Sequence, residues 1–356
     1  MKNVLRSCRS WYAVVIAVMT AAYPHLGTAQ DIPKTSIKVV GSISSLPPYK
    51  DFEVPFWTKT LNEKSKGAIT AEVKGFNEMG LKGSEVLRLM SSGVIEIGAA
   101  VLGYLAADDP VIEAVDIAGL TTDAATARRV TDAAKPMYEK LFREKFGVKL
   151  LAIGTYPAQV AYCNSEIKSL ADLKGKKIRV GGRSQAELVE ALGGTPVTMA
   201  FGEVVPALQN KVVDCGITGT LSGNLAKWHE VTTHLLALPL SWGQIAYGAQ
   251  IKAWEKYDPK IRSLIEAEIK VLEKNLWDIA ALHTAQGIAC NGGTADCTLG
   301  QKGKMKIVLA SDADRALLGK IVADTMIPKW SARASTEGVA GFNDGIGKVV
   351  SAVAKK

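Results

Sequence analysis

The stretch from Ser169 to Thr218 constrains the fold most. Ile178-Arg179-Val180 reads as a strand. Ser184 with Glu187 three residues later reads as a capping box opening a helix, and Gly193 suits that helix's end. Val197-Thr198-Met199 extends again, Glu203 to Lys211 has helical spacing, and Val212 to Thr218 is a further strand. Pro206 fits that second helix because it falls in the first turn. Alternation of this kind specifies α/β layers with parallel strands. Arg179 stands near the end of its predicted strand, just before a helix N-terminus, which also favours anions. A guanidinium fork placed there can grip a carboxylate; the alternative is a surface ion pair.

The same alternation runs through the rest of the chain. Ser36 to Gly41 is a first strand, broken by Pro47-Pro48-Tyr49. Phe52 to Lys66 has helical spacing with Phe56, Trp57 and Leu61 near one face. Ile69 to Val73 is a strand, and Ser84 to Ser92 is a helix closed by Gly93. Ile95 to Val101 is almost wholly apolar, as in a sheet covered on both faces. Ala124 to Phe146 is helical, kinked or split at Pro136, and Lys149 to Ile153 and Gln159 to Cys163 are strands. The longest helix opens at Asp258-Pro259 and ends near Gly287. At 1.5 Å per residue it is about 42 Å long, enough to run along two lobes as a spine.

Residues 1–29 have the make-up of a secretory signal. Lys2, Arg6 and Arg9 precede an apolar run from Trp11 to Ala22, and Gly27-Thr28-Ala29 offers a cleavage site near Ala29. The run is short for a membrane span. Cleavage takes three positive charges from a net +8 and leaves +5, scattered along the chain. No basic block is interleaved with aromatics, so no nucleic-acid surface is expected. Four cysteines remain: Cys163, Cys215, Cys290 and Cys297. An even number in an exported chain points to disulfides. Cys290 and Cys297 flank a turn-rich loop that brings its ends together. Cys163 and Cys215 lie on two predicted strands; they pair if those strands are neighbours, and otherwise are two buried thiols. No Cys-x-x-Cys pair or histidine spacing suggests a metal site. Asp108-Asp109 resembles a metal pair, but the following Pro110 favours a loop or helix cap.

These residues match a known pattern. Asp172-Leu173-Lys174-Gly175, Ile178-Arg179-Val180, Met199-Ala200-Phe201-Gly202-Glu203-Val204, Ala207-Leu208-Gln209 and Val213-Asp214 follow in order, and Gly80, Glu85 and Gly93-Val94-Ile95-Glu96-Ile97 precede them. In these motifs the chain resembles the DctP-type solute receptors of TRAP transporters, a class of periplasmic binding protein. The resemblance implies two α/β lobes, a hinge of crossing strands and a cleft that closes on the ligand. It implies that Arg179 pairs with a substrate carboxylate, that Phe201 lies at the cleft, and that a sodium-driven membrane permease is the partner. Lobe I is expected to hold 30–155 and about 244–287, and lobe II 156–243 and about 288–356.

Two positions depart from the pattern. Where many members carry a second ligand-facing arginine this chain has Gln159, and where many carry Asn it has Thr218. Both are neutral hydrogen-bonding groups, and a second buried carboxylate without a cation is costly. The expected ligand is therefore a monocarboxylate: a hydroxy, keto, amide-bearing or aromatic acid. Glu78 and Met79 in the first-lobe cleft loop, and Trp242 and Gln244 where the chain re-crosses, are further candidates. Trp57 is one too, although large apolar side chains are usually core. Asn224, Lys227 and Trp228 belong either to the cleft rim or to a permease-facing surface. No Gly-x-Ser-x-Gly elbow, His-Glu-x-x-His run or phosphate fingerprint is present, so no catalytic residue and no cofactor is expected. The competing readings are a secreted α/β enzyme acting on a small carboxylate, and a ligand-sensing protein serving a separate receptor.

Overall fold

The β-branched runs assemble into two mixed sheets. The structure, a computed structural model, describes residues 32–356; the expected signal segment, with Cys8 and the cleavage site at Ala29, lies outside the described residues. The first sheet contains β1 (Thr35–Gly41), β2 (Ile69–Gly75), β3 (Ile97–Val101), β4 (Val148–Gly154) and β10 (Ile245–Gln250), in the order β2-β1-β3-β10-β4. The second contains β5 (Gln159–Cys163), β6 (Lys177–Val180), β7 (Thr195–Thr198), β8 (Cys215–Gly219), β9 (His234–Ser241) and β11 (Lys306–Leu309), in the order β11-β9-β5-β8-β6-β7. β3 is buried at all five positions, as its apolar run requires when helices cover both faces. The expected parallel pairings hold for β1 with β2 and β3, and for β6 with β7 and β8. The exceptions are β10 and β5, each antiparallel to its neighbours.

Those two strands mark where the chain changes sheet. Residues 155–158 carry it from β4 to β5, and 242–244 carry it from β9 back to β10. The two crossings touch: the Thr155 hydroxyl donates to the Trp242 carbonyl at 3.4 Å. Cys163 and Cys215 face each other in register on β5 and β8 and form a disulfide. Cys290 and Cys297 form a second.

The helices that matter for the site are α1 (Val86–Ser91), α2 (Ala124–Phe146), α3 (Arg183–Ala191), α4 (Val204–Gln209), α5 (Thr220–Leu225) and α6 (Pro259–Gly292). α2 spans the expected residues and passes through Pro136 as one helix. α3 is not opened by the Ser184–Glu187 box. Gly182 is its N-cap; the Ser184 hydroxyl accepts from Ala118 N at 2.7 Å, and Glu187 pairs with Arg183 and Arg333. Distant partners outcompete the local cap.

The long helix α6 is capped by Asp258, whose side chain accepts from Lys260 N at 2.8 Å. Its 34 residues make it about 51 Å long. It packs on β4 of the first sheet and on α5 and β11 of the second. Gly287 does not end it. A Cβ there would run into the backbone of Thr220 and Leu221, so this glycine lets α5 press against α6. The left-handed terminator is Gly293, at φ +73°. After β11 the chain returns to the first sheet's side: α7 (Thr336–Asp344) and α8 (Ile346–Val350) pack on α2.

Candidate ligand-binding site

Alternation along β6 buries Ile178 and Val180 in the main core and turns Arg179 the other way. Arg179 pairs in register with Val197 on β7 and Gly216 on β8. A Cβ on Gly216 would stand 2.7 Å from the Trp228 ring, so the missing side chain makes room for that indole. The guanidinium carbon lies 5.9 Å from the Trp228 ring centroid, within range of a cation–π interaction. Phe201 stacks on Trp228 at 5.8 Å, and Tyr162 meets it edge-on at 5.5 Å.

Arg179 is only 3 % exposed. Its Nε and Nη2 donate to the Met199 carbonyl at 3.2 and 3.0 Å, and Nη1 donates to the Ile217 carbonyl at 2.9 Å. A guanidinium has five N–H bonds; these carbonyls take three, and the Tyr104 hydroxyl also hydrogen-bonds to the group. Among the described residues no ion pair joins it to a carboxylate. Burial pulls its pKa down, with the Tyr104 hydroxyl and Glu203 pulling the other way. Burying a cation against neutral carbonyls alone is costly, and a bound anion would relieve that cost.

Arg179 opens into a cavity between the sheets. Its free space, counted as positions open to the centre of a water molecule, is about 50 Å³, which restricts occupants to compact molecules. Gln159, Phe201 and Thr218 line it with Arg179. Gln159 is held by a polar chain: Ser241 Oγ donates to its Oε1 at 2.8 Å, and Gln185 Nε2 donates to the same oxygen and to Ser241 Oγ. Gln185 in turn accepts from Gly181 N at 2.8 Å. Gln159 Oε1 is thereby occupied and its amide nitrogen is the group free to donate.

The first sheet's side supplies Tyr104 from the turn Leu102–Tyr104, and Glu113 and Asp116 from the 3₁₀ segment Pro110–Asp116. Asp109 caps that segment by accepting from Val111 N at 2.8 Å, so the Asp-Asp-Pro run is a cap, as its proline suggested. Glu113 accepts from Ser184 N and pairs with Arg333 at 2.9 Å; desolvation outweighs these and raises its pKa. Asp116 accepts from Trp242 N and Gly243 N, both at 2.8 Å. Burial pushes its carboxyl up to about 7 against those two bonds. The two sides meet at Gly103 and Gly182, where a Cβ on Gly182 would run into the Gly103 carbonyl oxygen.

Five candidates lie elsewhere. Glu78 accepts from Gly75 N at 2.8 Å and from the Tyr49 hydroxyl at 3.3 Å. Met79 is 48 % exposed, and neither residue lines the cavity. The Trp242 ring packs with Trp277, Ala127 and Ala158, and its Nε1 donates to the Thr121 carbonyl; its contribution is the backbone N–H on Asp116. Trp57 and Gln244 are buried away from the cavity. Trp228 is fully buried behind Arg179, and Asn224 is buried with Gln301 and Asn291. Tyr104 and Asp116 escaped the sequence reading because turns place them; Gln185 on α3 and Ser241 at the end of β9 escaped it because no motif marks them. Among the described residues no cluster of His, Cys, Asp and Glu is arranged to hold a metal. None of their helices is long and apolar enough to cross a membrane.

This architecture is that of a two-lobed solute receptor. Residues 45–288 match the family described as bacterial extracellular solute-binding protein, family 7, and the chain belongs to it. An uncharacterised Haemophilus influenzae protein is 24 % identical over 251 residues, covering 69 % of this chain and 75 % of that one. The fold matches DctP7, a Bordetella pertussis extracytoplasmic solute receptor binding pyroglutamic acid. There the TM-score is 0.78 at 20 % identity, over 87 % of this chain and 99 % of that one. It also matches a TRAP periplasmic solute-binding protein from Desulfovibrio salexigens with bound orotic acid. That match has a TM-score of 0.79 at 19 % identity, over 89 % and 99 % of the two chains. TRAP receptors bind small organic acids and work with membrane permease subunits.

Proposed function

We propose that this chain is an extracytoplasmic receptor that holds a small monocarboxylate between its sheets and delivers it to a sodium-driven TRAP permease. The observation that carries this reading is Arg179: a buried cation that faces the cavity and whose hydrogen-bond partners, two backbone carbonyls and the Tyr104 hydroxyl, are all neutral. A carboxylate meets a guanidinium with two parallel hydrogen bonds. Phe201 and Thr218 flank the anion, and the Gln159 amide donates to the rest of the ligand.

One carboxylate is favoured over two because Arg179 is the only cation among the described residues lining the cavity. Glu113 and Asp116 line it as well and would repel a second anionic group. Pyroglutamic and orotic acids, bound by the two fold neighbours, each carry a single carboxylate. The chain acts as a carrier rather than an enzyme in this reading, in the periplasm, after cleavage near Ala29. The lobes divide at the two crossings, 155–158 and 242–244.

Calorimetric titration with paired mono- and dicarboxylates of one carbon skeleton tests the reading. The monoacid is expected to bind at least about tenfold tighter, since an unpaired buried carboxylate is expensive. Tighter binding of the diacids would sink the monocarboxylate assignment.

A further inference from the structure

Asp116 plays no part in gripping a carboxylate, yet it lines the same cavity as Arg179. Its two oxygens each accept one backbone N–H at 2.8 Å, from Trp242 and Gly243. These bonds fix the orientation of the carboxyl at the crossing between the sheets. A carboxylate oxygen has two lone-pair sites, so each oxygen retains acceptor capacity. No lysine or arginine pairs with Asp116 among the described residues. The other acid on this wall, Glu113, is already held by Arg333 and Ser184 N. The cavity therefore contains one buried cation without a carboxylate and one half-buried acid without a cation.

Resting on the receptor reading above, we infer that Asp116 is a specificity residue that accepts a hydrogen bond from the ligand. The ligand class is then a monocarboxylate carrying an N–H or O–H donor in addition to its carboxylate. Arg179 takes the anion and Asp116 takes the donor. An acid without a donor would leave Asp116 with no ligand partner and, wherever it is ionised, beside a second carboxylate, which like-charge repulsion opposes. A site built to hydrogen-bond a substrate group rejects the analogue that lacks it far more strongly than an apolar pocket rejects a missing methylene. Cationic and neutral donors both meet this requirement, and the probes below separate the two.

The test compares acids of matched shape by calorimetry on the mature chain: pyroglutamate with its lactone counterpart, proline with tetrahydrofuran-2-carboxylate, and lactate with 2-fluoropropionate. In each pair that binds, the donor-bearing acid is expected to win by at least about tenfold, as for hydrogen bonds to charged groups. A stronger effect in the proline pair identifies a cationic donor, and one in the pyroglutamate pair a neutral one. In Asp116→Ala, which removes the acceptor altogether, the preference falls below about threefold while Arg179-dependent binding persists in a chain whose melting transition shows it folded. Equal affinity within the pairs for the wild-type chain overturns the role of Asp116 and leaves the receptor reading standing. Binding that survives Arg179→Ala fails the receptor reading instead.

Discussion

The two walls of the cavity are built in different ways. Arg179, Thr218 and Gln159 stand on β6, β8 and β5, adjacent strands of one sheet, with the Cys163–Cys215 bridge across two of them. Tyr104, Glu113 and Asp116 come from 3₁₀ turns, held by backbone N–H groups of 184, 242 and 243 and by Arg333. A ladder sets side-chain direction every second residue. A turn borrows its geometry from whatever packs against it. The strand wall is therefore suited to hold the anion rigidly, and the turn wall to adapt and discriminate.

The largest test of that contrast is to unpin the strand wall. Closing the 52-residue separation between Cys163 and Cys215 is worth about 4 kcal/mol in the chain-entropy account, against about 2.5 for the 7-residue separation of Cys290 and Cys297. Denaturant titration of Cys163→Ser/Cys215→Ser beside Cys290→Ser/Cys297→Ser is expected to show the larger loss in the first pair. An equal or reversed order would mean that the sheet does not depend on the bridge.

The turn wall breaks more selectively. In Gly182→Ala the added methyl meets the Gly103 carbonyl, and overpacking of this kind costs about 1–3 kcal/mol. The cost falls on the approach of the two walls, so affinity is expected to drop about tenfold while the unliganded melting temperature moves little. A large melting change with unchanged affinity would place the contact in folding alone.

The Asp116 carboxyl, raised to about 7 by burial, binds a proton in the folded chain where the unfolded side chain, at about 3.9, has lost it. Its contribution to stability is complete below about pH 4 and is lost as pH rises through about 7. Melting temperatures of Asp116→Asn against the wild-type chain, from pH 4 to 8, should therefore show the difference shifting in the variant's favour as pH rises. A difference that stays constant over that range would show that the carboxyl titrates normally. The smallest effect belongs to Lys82–Glu203, 3.4 Å apart and more than half exposed on both sides. Lys82→Ala should change affinity less than about twofold, and less still at high salt.

The same contrast explains what the sequence disclosed. Periodicity located α2 and β5 to the residue, and Arg179 stood out because a guanidinium inside a strand, beside a helix start, has few ordinary uses. Gln159, Phe201 and Thr218 followed from strand and motif position. The turn wall was illegible because Asp116 and Tyr104 carry no periodic signal, and their partners lie far along the chain. Gly287 looked like a helix terminator when its function is close approach of α5. Ser184 and Glu187 looked like a local cap, but their bonds run to Ala118, Arg183 and Arg333. Trp242 is a candidate for its place where the chain re-crosses, and what reaches the site there is its backbone N–H rather than its ring.

Calorimetric titration of wild-type, Arg179→Lys and Arg179→Ala chains with one monocarboxylate that binds the wild type tests the central claim most directly. The account predicts at least about hundredfold weaker binding in both variants, because an ammonium cannot reproduce the planar fork, with folding verified by the melting transition. Affinity within about threefold of wild type in a folded Arg179→Ala chain would contradict it.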